Sequence, residues 1–321
     1  MTQPLHYTPK AMADLLALAE ASPPGMTAGF RYLADKLRQA QVFVLSDHGQ
    51  LLDRAKPRPQ VPGDVFRPPF PVVALEYTAS TREWADPFYN GSKCSRRIAL
   101  AWEWSDDLPP ILRAFPCADL GAGVVVAALA FYDEQDHWLP VAAAMHLDFE
   151  ETWNDAPAPS PFREAMIKAG RISKAVEKEP GLASSPIALM PEAIEAIAAR
   201  MGAAATIDAI CADMMDEVNA YTDLCYALAC GNVGTSRVTA PPALNKKRIK
   251  AGKLPLRDFH VLELAGGGVL PGASDHGGGD RAAPRSHLRR GHIRRLGPER
   301  ITWVNSAIVR GRGFIDKVYA A

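Results

Sequence analysis

Several things are missing from this chain, and each absence removes a class of protein. No apolar run among its 321 residues reaches the roughly 18 to 20 needed to span a bilayer. The start, Met1-Thr2-Gln3-Pro4-Leu5-His6-Tyr7, lacks the basic region followed by an apolar one that marks a secretory leader. A cytoplasmic protein with no membrane partner is therefore expected. The cysteines, Cys94, Cys117, Cys211, Cys225 and Cys230, are odd in number and form neither a Cys-x-x-Cys pair nor a Cys/His cluster, so they read as reduced, buried thiols. There is no Gly-x-x-x-x-Gly-Lys-Ser/Thr loop, no His-Glu-x-x-His and no Gly-x-Ser-x-Gly, which disfavours an ATP-driven enzyme, a zinc protease of that type and a serine hydrolase. Nothing in this motif content asks for a cofactor or a metal. Finally, neither sign of charge is in excess: 36 Lys+Arg face 36 Asp+Glu, so any basic patch is a local choice.

What is present suits an ordinary globular protein. At 48% hydrophobic and 22% charged, the chain can bury one large core or two smaller ones. Helices are expected from Pro9 to about Ala21, after the cap candidate Thr8, and from about Ala28 to Ala40, parted by Ser22-Pro23-Pro24-Gly25. From Gln41 the period changes to that of strands, at Val42–Leu45, Val72–Tyr77, Ile98–Trp104, Gly123–Phe131 and Trp138–Leu147. The last two flank Tyr132-Asp133-Glu134-Gln135-Asp136-His137, a connection suited to an antiparallel hairpin. The proline-rich Lys56–Pro71 reads as an extended surface excursion. Further helices are expected at Phe162–Glu179, Pro191–Met201 and Ala204–Cys230. In the last of these, Ile207, Ile210, Cys211, Met214, Val218, Tyr221, Leu224 and Leu228 recur at three- and four-residue steps.

The fold expected is α+β: a mixed, largely antiparallel sheet with helices packed on one face, an N-terminal helical hairpin and a C-terminal basic β-hairpin. Three segments follow from the composition shifts. They are a helical hairpin plus strand-rich half over 1–155, a helical segment over 156–238 and a basic module over 239–321 with a flexible glycine-rich loop at 266–284, all of which can form one compact domain.

The basic module carries the chemistry. Arg285, Arg289, Arg290, Arg294 and Arg295 crowd around Gly291, His287 and His292, and Asn245-Lys246-Lys247-Arg248 lies upstream. In a strand, alternation puts His287, Arg289, Gly291, Ile293 and Arg295 on one face and Leu288, Arg290, His292 and Arg294 on the other, leaving both faces polar. Such a strand belongs near an exposed edge, paired with Ile301–Val309 through a turn at about Leu296-Gly297-Pro298-Glu299. Arginine forks suit phosphate, and Gly291 lets a backbone approach closely, so this set is read as nucleic-acid-binding. Trp303 is open to two readings, a base-stacking platform or part of the hairpin core. His287 and His292 are candidate catalytic residues of a metal-independent ribonuclease, one taking the 2′-hydroxyl proton and one protonating the leaving oxygen. Five residues apart, they would need a bulge at Gly291 to share a face. Asp133, Asp136, His137, His146 and Asp148 cluster in sequence, but a polar turn and an acidic strand end explain them without a metal.

The run from His287 to Arg295, with Trp303-Val304 after it and Asn245-Lys246-Lys247 before it, resembles a family of phage and mobile-element proteins that includes a type V-A anti-CRISPR protein. That family carries a His-x-Arg-Arg-Gly-His-aromatic run, where this chain has Ile293 in the aromatic's place. The similarity covers about the last quarter of the chain. It implies a protein of the bacterial cytoplasm that recognises a nascent polypeptide, such as a type V CRISPR effector, and causes loss of its mRNA on the ribosome.

Overall fold

The computed structural model describes residues 7–45, 47–53, 58–79, 94–105, 107–113, 120–150, 153–154, 181–264, 287–289, 292–297, 300–304 and 307–309. The helical hairpin is α1 (Thr8–Glu20) and α2 (Pro24–Gln39). The prolines of the intervening breaker do more than separate. Pro24 takes the first position of α2, where its missing N–H costs no hydrogen bond, so the helix begins four residues earlier than its apolar period suggests. Neither helix is capped by its own N-cap side chain. A distant carboxylate serves each one instead. Glu76 accepts from Tyr7 N (2.6 Å), Thr8 N (2.8 Å) and Thr8 Oγ1 (2.5 Å), and Glu192 accepts from Gly25 N (2.7 Å) and Met26 N (2.9 Å). Negative charge at these helix ends also meets the positive end of the macrodipole.

The strands are β1 (Gln41–Val44), β2 (Val72–Thr78), β3 (Cys94–Glu103), β4 (Gly123–Tyr132), β5 (His137–Asp148), the two-residue β6 (Trp153–Asn154) and β7 (Gly181–Leu182), and β8 (Ser184–Ala188). After α4 (Pro191–Met201) and α5 (Ala203–Leu228) come β9 (Val233–Val238), α6 (Pro242–Lys250) and β10 (Phe259–Leu264); a single turn, α3 (Pro110–Arg113), precedes β4. One eight-stranded sheet runs β8-β5-β4-β3-β2-β1-β10-β9. It is antiparallel except at β1, which lies parallel to both β2 and β10. The expected β4–β5 hairpin is present, turning through Asp133–Asp136 with Asp136 at φ 53°. The fold is α+β with a mixed, mainly antiparallel sheet and a second small antiparallel hairpin, as the sequence indicates.

The expectation of helices on one face is corrected. Glu76 and Tyr77 are neighbours on β2, so they point to opposite sides of the sheet. Glu76 reaches the start of α1, whereas Tyr77 donates to Glu217 of α5 (2.9 Å). Helices therefore cover both faces, which explains why every residue of β4 is buried and why its sequence, Gly-Val-Val-Val-Ala-Ala-Leu-Ala-Phe-Tyr, is continuously apolar without alternation. On the α2 side, Lys36 is buried between the rings of Tyr32 and Trp102, its Nζ 5.1 and 5.3 Å from their centroids and 2.7 Å from Asp107. Burial works to raise the Asp107 carboxyl, but hydrogen bonds from Lys36 and Tyr32 outweigh it and hold the group below its ordinary value.

On the α5 side the polar load is heavier. Arg97 of β3 grips fully buried Glu217 with two bonds, Nε to Oε1 at 2.5 Å and Nη2 to Oε2 at 3.0 Å, and gives another to the Asp213 carbonyl (3.0 Å). From Ala220 to Ala227 α5 is buried all round, and the proline-rich surface excursion supplies part of the cover. Among its described residues, Phe66 is 1% exposed and stacks edge-on against Tyr226 (5.4 Å). Tyr221 and Tyr226 donate to the carbonyls of Phe66 (2.7 Å) and Pro59 (2.8 Å), and Arg58 pairs with buried Asp223 (2.6 Å). Prolines leave carbonyls without reciprocal donors, and tyrosine hydroxyls fill that need. The helix expected over Phe162–Glu179 lies outside the described residues. Among the described residues, no helix is long and apolar enough to cross a membrane.

Two outcomes test this account. Glu217→Ala leaves the Arg97 charge buried with its main partner gone, so urea unfolding should report a loss of about 3–5 kcal/mol, while the double change Arg97→Met with Glu217→Leu recovers most of it. Burial pushes the thiols of Cys225 and Cys230 up to about 12 and about 11, so at pH 8 neither should react with a disulfide reagent until the protein is unfolded.

Candidate nucleic-acid interface

The C-terminal hairpin forms from two ladders. β11 (His287–Arg289) pairs with β14 (Ala307–Val309), and β12 (His292–Gly297) pairs with β13 (Arg300–Val304). Arg289 faces Ala307 and His292 faces Val304, so the same number of residues separates the ladders on each strand and both share one register. The tip closes at Gly297↔Arg300, within the expected turn. Arg285, Arg290 and Gly291 lie outside the described residues, as do the glycine-rich stretch 266–284 and the side chains at His287, Arg289, His292 and Arg295.

One face of the hairpin is committed inward. Ile293 and Trp303 sit opposite each other, half buried, and pack against the main core. The docking is fixed by a residue that the sequence does not advertise. Asn232, in the turn between α5 and β9, accepts from Trp303 N (2.8 Å) and donates to Trp303 O (2.8 Å), imitating a strand partner, and also accepts from Thr302 Oγ1 (3.1 Å). Since both backbone groups of Trp303 turn toward Asn232, Trp303↔Ile293 is a non-hydrogen-bonded pair, where side chains stand closest. Only a turn-forming Gly231-Asn232 is visible in sequence, and that pattern carries no hint of a distant strand. Arg294, at the adjoining position of β12, and Arg300 at the tip are exposed.

The upstream basic set lies on α6, a helix with no buried residue. Its members divide by role. Asn245 is structural: its amide donates to Leu256 O (2.9 Å) and accepts from Leu256 N (2.7 Å). Arg248 donates to Leu254 O (2.8 Å). Gly252, at φ 68°, ends the helix: its N–H reaches Ile249 O (3.0 Å) while Lys253 N reaches Arg248 O (2.9 Å), the pairing that a left-handed C′ glycine permits. Lys246, Lys247 and Lys250 remain exposed. The two basic elements have separate roots in the fold. α6 follows the Val238 end of β9, and the hairpin hangs on Asn232 at the Val233 end, so the length of a six-residue strand, roughly 20 Å, separates the points from which the two basic elements spring.

His287 pairs with Val309 and His292 with Val304, while Gly291, where the expected bulge would fall, lies outside the described residues. The acidic and histidine residues around the β4–β5 turn are dispersed. Asp133 accepts from Ser95 (2.6 Å), His137 bonds Gln135 O (3.0 Å), and buried His146 bonds Gly121 O (3.2 Å), burial pulling its pKa down. Among the described residues no three such groups are placed to hold a metal.

Set against known families, curated proteins and solved structures, the chain matches none.

If Asn232 is the clasp, Asn232→Ala strips both backbone partners from half-buried Trp303. Hydrogen exchange at the Trp303 amide should accelerate roughly 10- to 100-fold, as loss of about 1–3 kcal/mol of local stability requires, with the sheet amides unchanged.

Proposed function

We propose that this chain is an interaction protein acting on gene expression in the bacterial cytoplasm, an anti-defence factor of anti-CRISPR type that engages a nascent polypeptide and promotes loss of its mRNA. Its C-terminal hairpin contacts the RNA. The observation that carries the reading is the asymmetry of the hairpin: the Ile293/Trp303 face is spent on docking, while Arg294 and Arg300 stand in solvent within a run of arginines that balances no excess of acid nearby in sequence. Exposed guanidinium groups on a docked, register-fixed strand are suited to a phosphate backbone, because their forks are held at strand spacing and retain full charge. The motif shared with the phage and mobile-element family supports the biological setting. On this reading Trp303 is a structural support of the RNA surface.

The second reading is a metal-independent ribonuclease using His287 and His292, which stand five residues apart on the first side of the hairpin. Labelled single-stranded RNA and EDTA separate the two. An RNA-contacting protein shows salt-sensitive binding and no cleavage. Replacing Arg289, Arg290 and Arg294 together by Ala should weaken that binding and lower the slope of log K against log salt by up to about 2 units, at roughly 0.7 per phosphate contact on a single strand, with the thermal midpoint retained. Equal affinity in the triple variant defeats the proposal. Cleavage that survives the chelator and disappears in His292→Ala establishes the enzyme instead.

A further inference from the structure

The two margins of the eight-stranded sheet are built differently. At the β8 margin the backbone is blunted. Leu189 N bonds Ala142 O (2.9 Å), so by the two-residue period Pro186, in the middle of β8, has its nitrogen on the outer side, where it offers no donor. Where β5 runs on past β8, the Trp138 N–H is taken by Asp14 (3.0 Å) and Pro140 again has no N–H. These are the devices by which sheets refuse another strand.

Among the described residues, the β9 margin has neither a proline nor a carboxylate capping its outer N–H groups. β9 reads Val-Gly-Thr-Ser-Arg-Val, with no proline, and among the described residues only β10 pairs with it. Val233 donates its N–H to Cys230 O (3.0 Å) and not to β10, so the same period turns the backbone N–H and C=O of Thr235 and Arg237 away from β10, toward the side on which no described strand pairs. Gly234, Thr235 and Arg237 are exposed. Cations stand at both ends: Lys246, Lys247 and Lys250 of α6 beyond Val238, and Arg294 and Arg300 of the hairpin clasped at Asn232 before Val233.

From this we infer that the outer edge of β9 receives an extended, acidic polypeptide segment as an added strand. A strand alternately offers and accepts backbone hydrogen bonds at the spacing that Thr235 and Arg237 present, whereas nucleic acid has no such ladder. The charge at both ends selects acidic side chains. It also disfavours a second copy of this chain: antiparallel β9–β9 pairing about a two-fold axis sets the α6 end of one strand beside the hairpin end of the other, cation against cation. The inference rests on the reading above only in supplying a polypeptide partner, and gives that partner a place and a charge.

The experiment uses the full chain with the peptides acetyl-EVDVEVD-amide and acetyl-KVKVKVK-amide. The acidic peptide should bind, slow hydrogen exchange at the Thr235 and Arg237 amides at least 10-fold, and bind at least 10-fold more weakly to the Lys246→Glu, Lys247→Glu, Lys250→Glu variant, whose changes all fall on a helix without buried residues. Unaltered exchange at those two amides, or equal binding of the basic peptide, overturns the inference. So does concentration-dependent protection without peptide, which makes a second copy the occupant. Because RNA binding is scored separately with the hairpin arginine variant, loss of the RNA reading leaves the peptide result interpretable, and the reverse holds as well.

Discussion

Two consecutive residues of one strand organise this molecule. Glu76 leaves β2 on one side and ends the first helix's shortage of acceptors; Tyr77 leaves it on the other and enters the Arg97–Glu217 ion pair beneath α5. A sheet covered on both faces has no water to satisfy polar atoms, so each polar side chain pointing into a layer must find its partner in the helix lying there. Those partners are specific in position and charge. Hydrophobic burial makes the three layers stick, but the buried carboxylates decide where along the sheet each helix lies, because a shift by one turn strands a charge without its counterpart.

The same logic explains how the proline-rich segment is held. A stretch unable to donate to a ladder is useful above a buried helix only if the helix brings donors. Tyr221, Tyr226 and the Asp223–Arg58 pair are spaced along α5 for that purpose, and the helix is in consequence sheltered on all sides from Ala220 to Ala227. Whatever this protein contacts, that contact is made away from this stretch of α5.

Much of this was readable from periodicity. Pro191–Met201 is a helix with the expected ends, the long amphipathic segment runs Ala203–Leu228, and the polar run after Tyr132 does turn a hairpin. These are local matters of period and breaker. What periodicity could not carry is pairing across distance. Nothing in Gln41–Val44 says that it lies parallel to Phe259–Leu264, and nothing in Lys56–Pro71 says that tyrosines far along the chain await its carbonyls. In the basic module, the Asn-Lys-Lys element marks Asn245 and Lys246 alike, although one closes a loop and the other stands in solvent. Asn232, the clasp of the hairpin, resembles any turn asparagine until its two bonds to Trp303 are seen.

The borrowed helix caps set a timetable for the nascent chain. α1 and α2 leave the ribosome before the strands they pack on, and helices of their length are marginal in water by themselves. The carboxylate that closes α2 lies 167 residues downstream of Gly25. At roughly 5–20 residues per second, its synthesis follows about ten to thirty seconds later. The helical hairpin is thus made well before the carboxylate that secures it, and throughout that interval its apolar faces lack part of the cover that the folded sheet and helices give them.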